Sequence, residues 1–206
     1  MSDLVAVGGD LSVETLIAAY TNGIFPWNGD DPIRWYSPDP RMILVPADVH
    51  VSRSLEKDLR RFHVAYDVDF RRVMTECMRL PRPGQDGSWI TPRMIDAYEK
   101  LHRLGIAHSV EAYVEGSLAG GLYGLTFGNA FFGESMFTLR PNASKASLVT
   151  LCRDLDARGF AFIDCQQDTP HLARMGAAPI PRSDYLARLA KALERPSLHR
   201  SWKNGP

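Results

Sequence analysis

Residues 108–137 read HSVEAYVEGSLAGGLYGLTFGNAFFGESMF, and the reading of this stretch decides the fold. It contains three strand-like runs, His108–Glu115, Leu118–Phe127 and Ala130–Phe137. Gly116-Ser117 and Gly128-Asn129 stand at the tight connections, so the runs read as an antiparallel meander. The longest uncharged run, 116–133, lies inside it. Its glycines, together with Thr126 and Asn129, make it a strand pair rather than a membrane span.

Downstream of the meander, a helix begins near Asn142, buries Leu148, Leu151, Cys152 and Leu155, and stops at Gly159. The short apolar run FAFIDCQ (160–166) is a buried strand leading into a small helix in TPHLARMG (169–176). Ser183 is expected to cap a last helix with Leu186, Leu189, Ala190 and Leu193 inward, and the polar tail 196–206 to be loosely held. Upstream, Thr91-Pro92 opens a helix that stops at Gly105, and PRPGQDGS (81–88) is a loop. A further helix places Phe70, Val73, Met74 and Cys77 on one side. The helix from Ser52 has two faces, apolar at Leu55, Leu59 and Phe62 and basic at Arg53, Lys57, Arg60 and Arg61. Ser12 caps the first helix, with Leu11 and Leu16 as its staple and Gly23 past its end. The stretch between, FPWNGDDPIRWYSPDPR (25–41), is long and irregular but aromatic, which favours a functional loop over disorder. The expected class is α+β: a small mixed N-terminal domain (1–82), a domain with a mainly antiparallel sheet (83–195) and a tail (196–206).

The 206 residues suffice for a sizeable core, and 45% hydrophobic with 23% charged is a globular balance. Basic and acidic residues number 24 each, which excludes a highly cationic nucleic-acid binder. The charge is nevertheless uneven, acidic over 1–50 and 94–139 and basic over 51–93 and 140–206, so a local basic face is still available. Three cysteines without a CxxC spacing support neither a zinc ribbon nor a disulfide scaffold, and point to a reducing, cytoplasmic setting. The N-terminus has neither the basic start nor the apolar stretch of a signal peptide. A soluble protein without membrane attachment is expected.

Several residues could carry chemistry. Asp164 and Gln166 share a face of their strand, and a carboxylate beside an amide can orient an amine and hold its proton. Equally, Asp164 could cap or bridge a neighbouring loop. Glu134 lies between Phe131, Phe132, Met136 and Phe137, where a carboxylate is costly unless paired or solvated in a cleft. The alternative is a solvent-facing place on a half-exposed sheet. Cys165 and His171 do not read as a nucleophile and its base, because Cys165 alternates out of phase and nothing activates it. The six histidines lack ligand spacing, so no metal site is expected. The stripe Arg53, Lys57, Arg60 and Arg61 is either a solvated surface or a track for phosphates. Trp27, Trp35, Tyr36 and Trp89 are either loop anchors or stacking platforms for unpaired bases.

Together the segments VGGDLS, AAYTNGIFPW, WYSPDPR, HVSRSL, WITPRMIDAYEKLHRLGIAHSVEAY, GGLYG, GESMF, NASK, IDCQ and HLARMGA, in this order, closely resemble the leucyl/phenylalanyl-tRNA–protein transferase family. The resemblance runs from about Val7 to Leu189. It implies an acyl-CoA N-acyltransferase-like (GNAT-like) domain behind the smaller N-terminal one. It also implies transfer of Leu, Phe or, less readily, Met from aminoacyl-tRNA to proteins with N-terminal Lys or Arg, marking them for N-end rule degradation. No cofactor, CoA or metal is implied, since the tRNA ester is already activated, and a monomer is the expected state. By the same resemblance Asp164 and Gln166 assist the amine through a relay and Glu134 acts in the substrate cleft. Trp27 and Trp89 hold the terminal adenosine, and the basic stripe holds the tRNA. An apolar donor pocket is expected from Leu122, Phe131, Leu148, Leu151 and Ile163. Two departures stand out: Tyr36 replaces a common second tryptophan, and the sequence starts close to VGGDLS without an upstream segment many relatives have. A CoA-dependent acyltransferase would instead want a glycine-rich phosphate loop where this sequence has TLRPNASKAS. A non-catalytic tRNA-binding module would leave Asp164 and Gln166 unexplained.

Overall fold

The meander forms as its alternation and glycine turns require. In the computed structural model, which describes residues 3–80, 88–197, 200–203, 205 and 206, strands β6 (Ala107–Val114), β7 (Ser117–Phe127) and β8 (Ala130–Thr138) pair antiparallel, with Val110 opposite Leu122 and Leu122 opposite Met136. For numbering in chain order, β1 is Leu4–Val7, β2 Phe25–Pro26, β3 Arg34–Tyr36, β4 Arg41–Leu44 and β5 His63–Tyr66. Strand β9 (Phe162–Gln166) lies parallel to β8, a pairing that needs a crossover, and the crossover is α5 (Ala143–Ala157) after α1 (Val13–Thr21), α2 (Arg53–Leu59), α3 (Phe70–Arg79) and α4 (Pro92–Arg103). The chain ends with α6 (Pro170–Arg174), β10 (Ala178–Ile180) and α7 (Arg182–Leu193).

The large sheet has seven strands in the order β10-β4-β9-β8-β7-β6-β5, antiparallel except at β8–β9. That is the expected α+β class with a mainly antiparallel sheet. Because β4 and β5 belong to it, hydrogen bonding divides the two sheets near residue 40, not at the expected 82. A separate three-stranded sheet, β1-β3-β2, is built from residues before that point. Strands of only four residues carry too little alternation to announce their partners.

Each face of the large sheet is covered by helices. On one, Leu16 and Tyr20 of α1, Phe70, Val73 and Met74 of α3, Tyr98 of α4 and Tyr185 of α7 join one core. On the other, α5 lays Leu148, Leu151, Cys152 and Leu155 against Leu122, Phe131 and Ile163, with Leu55 of α2 alongside. Ser12, Ser52 and Thr91 cap their helices through their side chains as expected.

The C-terminal region departs from expectation in two ways. Helix α7 starts at Arg182 without a side-chain cap, so Ser183 lies inside it and the buried face is Tyr185, Leu189 and Ala192. The helix starts two residues earlier than a Ser183 cap would allow, and Leu186 and Ala190 are exposed because the side packed on the core is the one that carries Tyr185, Leu189 and Ala192. The tail is not loose throughout: Trp202 is buried. The expected loop at 81–88 lies, up to residue 87, outside the described residues. Among the described residues no helix is long and apolar enough to cross a membrane.

Candidate active site

The site lies where the sheet opens. Strands β8 and β9 stay paired only from Ala130–Phe162 to Phe132–Asp164, after which β8 continues to Thr138 paired with β7 on its other side. A bulge beside Gly124 bends β8 at this level. A Cβ at Gly124 would stand 2.2 Å from the Phe132 carbonyl and 2.5 Å from the Phe131 ring, so only glycine permits the approach. The splay leaves a cavity of about 480 Å³, within the range of small-molecule pockets.

All five residues expected to form an apolar pocket line this cavity: Leu122 and Phe131 from the meander, Leu148 and Leu151 from α5, and Ile163 from β9. Trp27 and Trp89 line it as well, their rings 6.4 Å apart and 23° from parallel. Trp35 does not join them. It is buried in β3, donating from Nε1 to the Gly8 carbonyl at 2.8 Å, and is an anchor of the small sheet. Tyr36 packs against Trp27 at 5.7 Å and supports it.

Glu134 and Gln166 meet across the gap between the splayed strands, with Gln166 Nε2 donating to Glu134 Oε1 at 2.7 Å. Tyr98 donates its hydroxyl to Glu134 Oε2 at 3.3 Å and is itself hydrogen-bonded to the Tyr20 hydroxyl. Burial pushes the Glu134 carboxyl up to about 7, and the nearby charge of Asp164 adds to this. The donors from Tyr20, Gln166 and Tyr98 pull the other way without cancelling it. Glu134 is therefore the buried, partnered carboxylate of a cleft, not a solvent-facing one.

Asp164 is placed differently from the expected amine acceptor. It is fully buried and does not line the cavity. Its Oδ1 accepts from Arg41 Nε (2.8 Å) and the Gln166 N–H (2.9 Å), and its Oδ2 from Arg41 Nη2 (2.6 Å) and the Tyr185 hydroxyl (2.8 Å). Four donors fill the carboxylate's acceptor sites, leaving none for an incoming amine. Arg41 lies between the Phe25 ring (4.9 Å) and the Tyr185 ring (4.4 Å). Burial works against its charge, but Asp164 more than offsets this and holds the guanidinium above its ordinary value. What Asp164 does control is Gln166. That residue has φ +64°, and the Gln167 N–H donates back to the Cys165 carbonyl at 2.7 Å in a γ-turn that costs an L-residue strain. The Asp164 carboxylate holds this turn through the Gln166 N–H.

Cys165 also reaches the cavity wall, where burial pushes its thiol well up and Asp164 adds to the shift, so it carries no thiolate. His171 lines the same cavity, its pKa lowered by burial and then by Lys145 and Arg174. Arg53 and Lys57 are exposed on α2 and outside the cavity, but the helix ends at Leu59, so Arg60 is its C-cap and Arg61 lies in the turn beyond; both are exposed there rather than on one helical stripe. Helix α2 is tied to α5 by Arg153–Glu56 (2.7 Å) and by Asn142 Nδ2 donating to Asp58 (2.8 Å). At the TLRPNASKAS junction, the Ala143 and Ser144 N–H groups are already taken by the Arg140 carbonyl and Thr138 Oγ1. No group of metal ligands occurs among the described residues.

Sequence reasoning missed Arg41, Tyr20, Tyr98 and Tyr185. The tyrosines occupy apolar helix positions, and a buried tyrosine hydroxyl needs a partner; that was the available signal. Arg41 carried no local signal beyond closing WYSPDPR.

Residues 43–190 match the family profile described as leucyl/phenylalanyl-tRNA protein transferase, and residues 9–39 match the N-terminal domain of the same family. The leucyl/phenylalanyl-tRNA–protein transferase of Myxococcus xanthus is 55% identical, covering 99% of this chain and 88% of that protein. Those of Solidesulfovibrio magneticus and Thiobacillus denitrificans are 54% and 53% identical, covering 97% of this chain and 82% and 88% of theirs. Among solved structures, a GCN5-related N-acetyltransferase from Kribbella flavida is similar at TM-score 0.39 and 10% identity, covering 81% of this chain and 60% of that one. L-PGS from Bacillus licheniformis is similar at TM-score 0.40 and 12% identity, covering 78% and 55%.

Proposed function

The chain belongs to the leucyl/phenylalanyl-tRNA protein transferase family, and from that premise we propose that it transfers leucine or phenylalanine from aminoacyl-tRNA to the α-amino group of an acceptor protein. Methionine is a poorer donor in this reading, and the acceptors carry N-terminal Lys or Arg and are thereby marked for N-end rule degradation. The enzyme works as a monomer in the cytoplasm. The observation that carries the reading is an apolar cavity of about 480 Å³ ending on a buried carboxylate–amide pair.

The donor side chain occupies the apolar end beside Leu122, Phe131, Leu148, Leu151 and Ile163. Its ester then lies towards Glu134 and Gln166, and Trp27 and Trp89 take the terminal adenosine. An α-amino group with a pKa of roughly 8 has a usable neutral fraction near pH 7, so the site needs orientation more than a strong base. Gln166 supplies this: its Oε1 accepts from the amine, and the second Nε2 hydrogen is left for the developing oxyanion. Glu134 holds the cationic acceptor. Asp164, with Arg41 and Tyr185, keeps Gln166 in its strained turn. The exposed cations Arg53 and Lys57 on α2 and Arg60 and Arg61 just past its end bind the tRNA backbone. The reading of this fold as GNAT-like belongs to the same proposal, but a CoA-dependent activity has less support, since two N–H groups at the start of α5 are already occupied.

The test is incubation with leucyl- or phenylalanyl-tRNA and a peptide bearing N-terminal Arg or Lys, followed by mass spectrometry. One added Leu or Phe residue is expected. Absence of transfer by the folded protein with both donors overturns the proposal.

A further inference from the structure

A residue from the C-terminal tail backs one wall of the cavity. The Trp202 ring lies flat on His108 (3.9 Å, 7°), meets Tyr66 edge-on (6.0 Å, 73°) and packs against Phe131 (5.9 Å, 30°). Its backbone N–H donates to Asp67 Oδ2 at 2.6 Å. The same carboxylate takes the Ser109 N–H at 3.0 Å and pairs with His108 Nδ1 at 3.1 Å. Nearer the end of α7, Ser197 Oγ accepts from the Gly128 N–H at 2.6 Å, anchoring the tail where it leaves the helix. Trp202 is 2% exposed and belongs to the core that α5 covers, the core whose Leu148, Leu151 and Phe131 line the cavity. Phe131 thus touches both the cavity and Trp202.

We propose that Trp202 is a specificity-determining positioning residue: by fixing Phe131 from behind, it sets the depth of the donor side-chain pocket. The inference rests on the reading of that cavity as the donor pocket. A close-packed wall keeps its shape only while what lies behind it is filled. Without the indole, the Phe131 ring has room to retreat and the pocket lengthens at that end. A longer donor side chain then gains relative to leucine, which already fits the shorter pocket.

The experiment compares kcat/KM for phenylalanyl- and leucyl-tRNA in the full-length wild type, Trp202→Ala, Trp202→Leu and Trp202→Phe. The two tRNA bodies differ, but this difference cancels when each variant's ratio is divided by the wild-type ratio. The ratio should rise about tenfold in favour of phenylalanine in the Ala and Leu variants, the lower end of what one methylene in an apolar pocket is worth. It should stay near wild type in the Phe variant, and the acceptor-peptide KM should be unchanged throughout. A merely structural role lowers both donors equally and leaves the ratio where it was, which overturns the proposal. If Trp202→Ala fails to fold, Trp202→Leu against Trp202→Phe decides in the same way. Wild-type protein that transfers neither donor overturns the donor-pocket reading itself and removes this inference with it, an outcome distinct from an unmoved ratio.

Discussion

Replacing Glu134 by glutamine should make the protein more stable above neutrality while impairing transfer. The carboxyl's ordinary value is 4.5, and burial raises it to about 7 in the folded chain. Between those values the folded state holds a proton that the unfolded state releases, so stability falls as pH rises. At 1.36 kcal/mol per pH unit the gap amounts to about 3 kcal/mol once the pH is well above 7. Glutamine keeps the size and leaves an oxygen to accept from Gln166 Nε2. Its own amide donates to the Tyr98 hydroxyl, which passes its hydrogen to Tyr20. The variant thus avoids the cost of a buried charge without leaving a partner unpaired. For a chain of this length, about 3 kcal/mol corresponds to roughly 6–12 °C in Tm. The assay is thermal unfolding of wild type and Glu134→Gln in steps from pH 4 to 9, with transfer kinetics alongside. The Tm gap should be near zero below pH 4.5, open through pH 5–7 and level off above, while the acceptor KM rises in the variant. A Tm difference that does not change with pH, or a variant less stable than wild type at pH 8.5, would refute the reasoning.

Four further outcomes are expected. Asp164→Asn breaks a buried ion pair and should cost about 3–5 kcal/mol in denaturant unfolding; kcat should fall by roughly 10- to 1000-fold with donor KM unchanged, because Gln166 loses its anchor. Gln166→Ala should lower kcat over roughly the same range but cost less stability than Asp164→Asn, about 1–3 kcal/mol for leaving a buried Glu134 oxygen without its donor, which separates the group at the reaction from the one that holds it. Converting Arg53, Lys57, Arg60 and Arg61 to alanine should raise the KM for aminoacyl-tRNA and flatten its salt dependence, with little effect on a short aminoacyl-adenosine donor; an equal loss with both donors would count against tRNA binding there. Cys165→Ala should retain transfer within about threefold, since a thiol held protonated by burial is no nucleophile; loss of more than about a hundredfold would reinstate it.

The meander, the caps at Ser12, Ser52 and Thr91 and the helix before Gly159 were legible in the sequence, because each depends on residues within a turn or a hairpin of one another. The apolar pocket was legible almost as directly: Leu122, Phe131, Leu148, Leu151 and Ile163 lie on elements whose buried faces alternation and helical spacing already indicate. The order of the motifs was enough to identify the family. What only the tertiary structure decided were relations between distant residues. Asp164 looked like a partner for an amine until Arg41, 123 positions away, and Tyr185 filled its acceptor sites. Glu134 and Gln166, 32 positions apart, become one site only because β8 and β9 part after three residue pairs. Trp202 sits in a tail whose local composition is polar, yet it finds its place against His108 and Phe131. A hydrogen bond or stacked ring between remote residues leaves no period in the sequence, since nothing in the spacing of either partner encodes the other. Periodicity reports which face is buried, and only the packed chain decides what each buried polar group meets there.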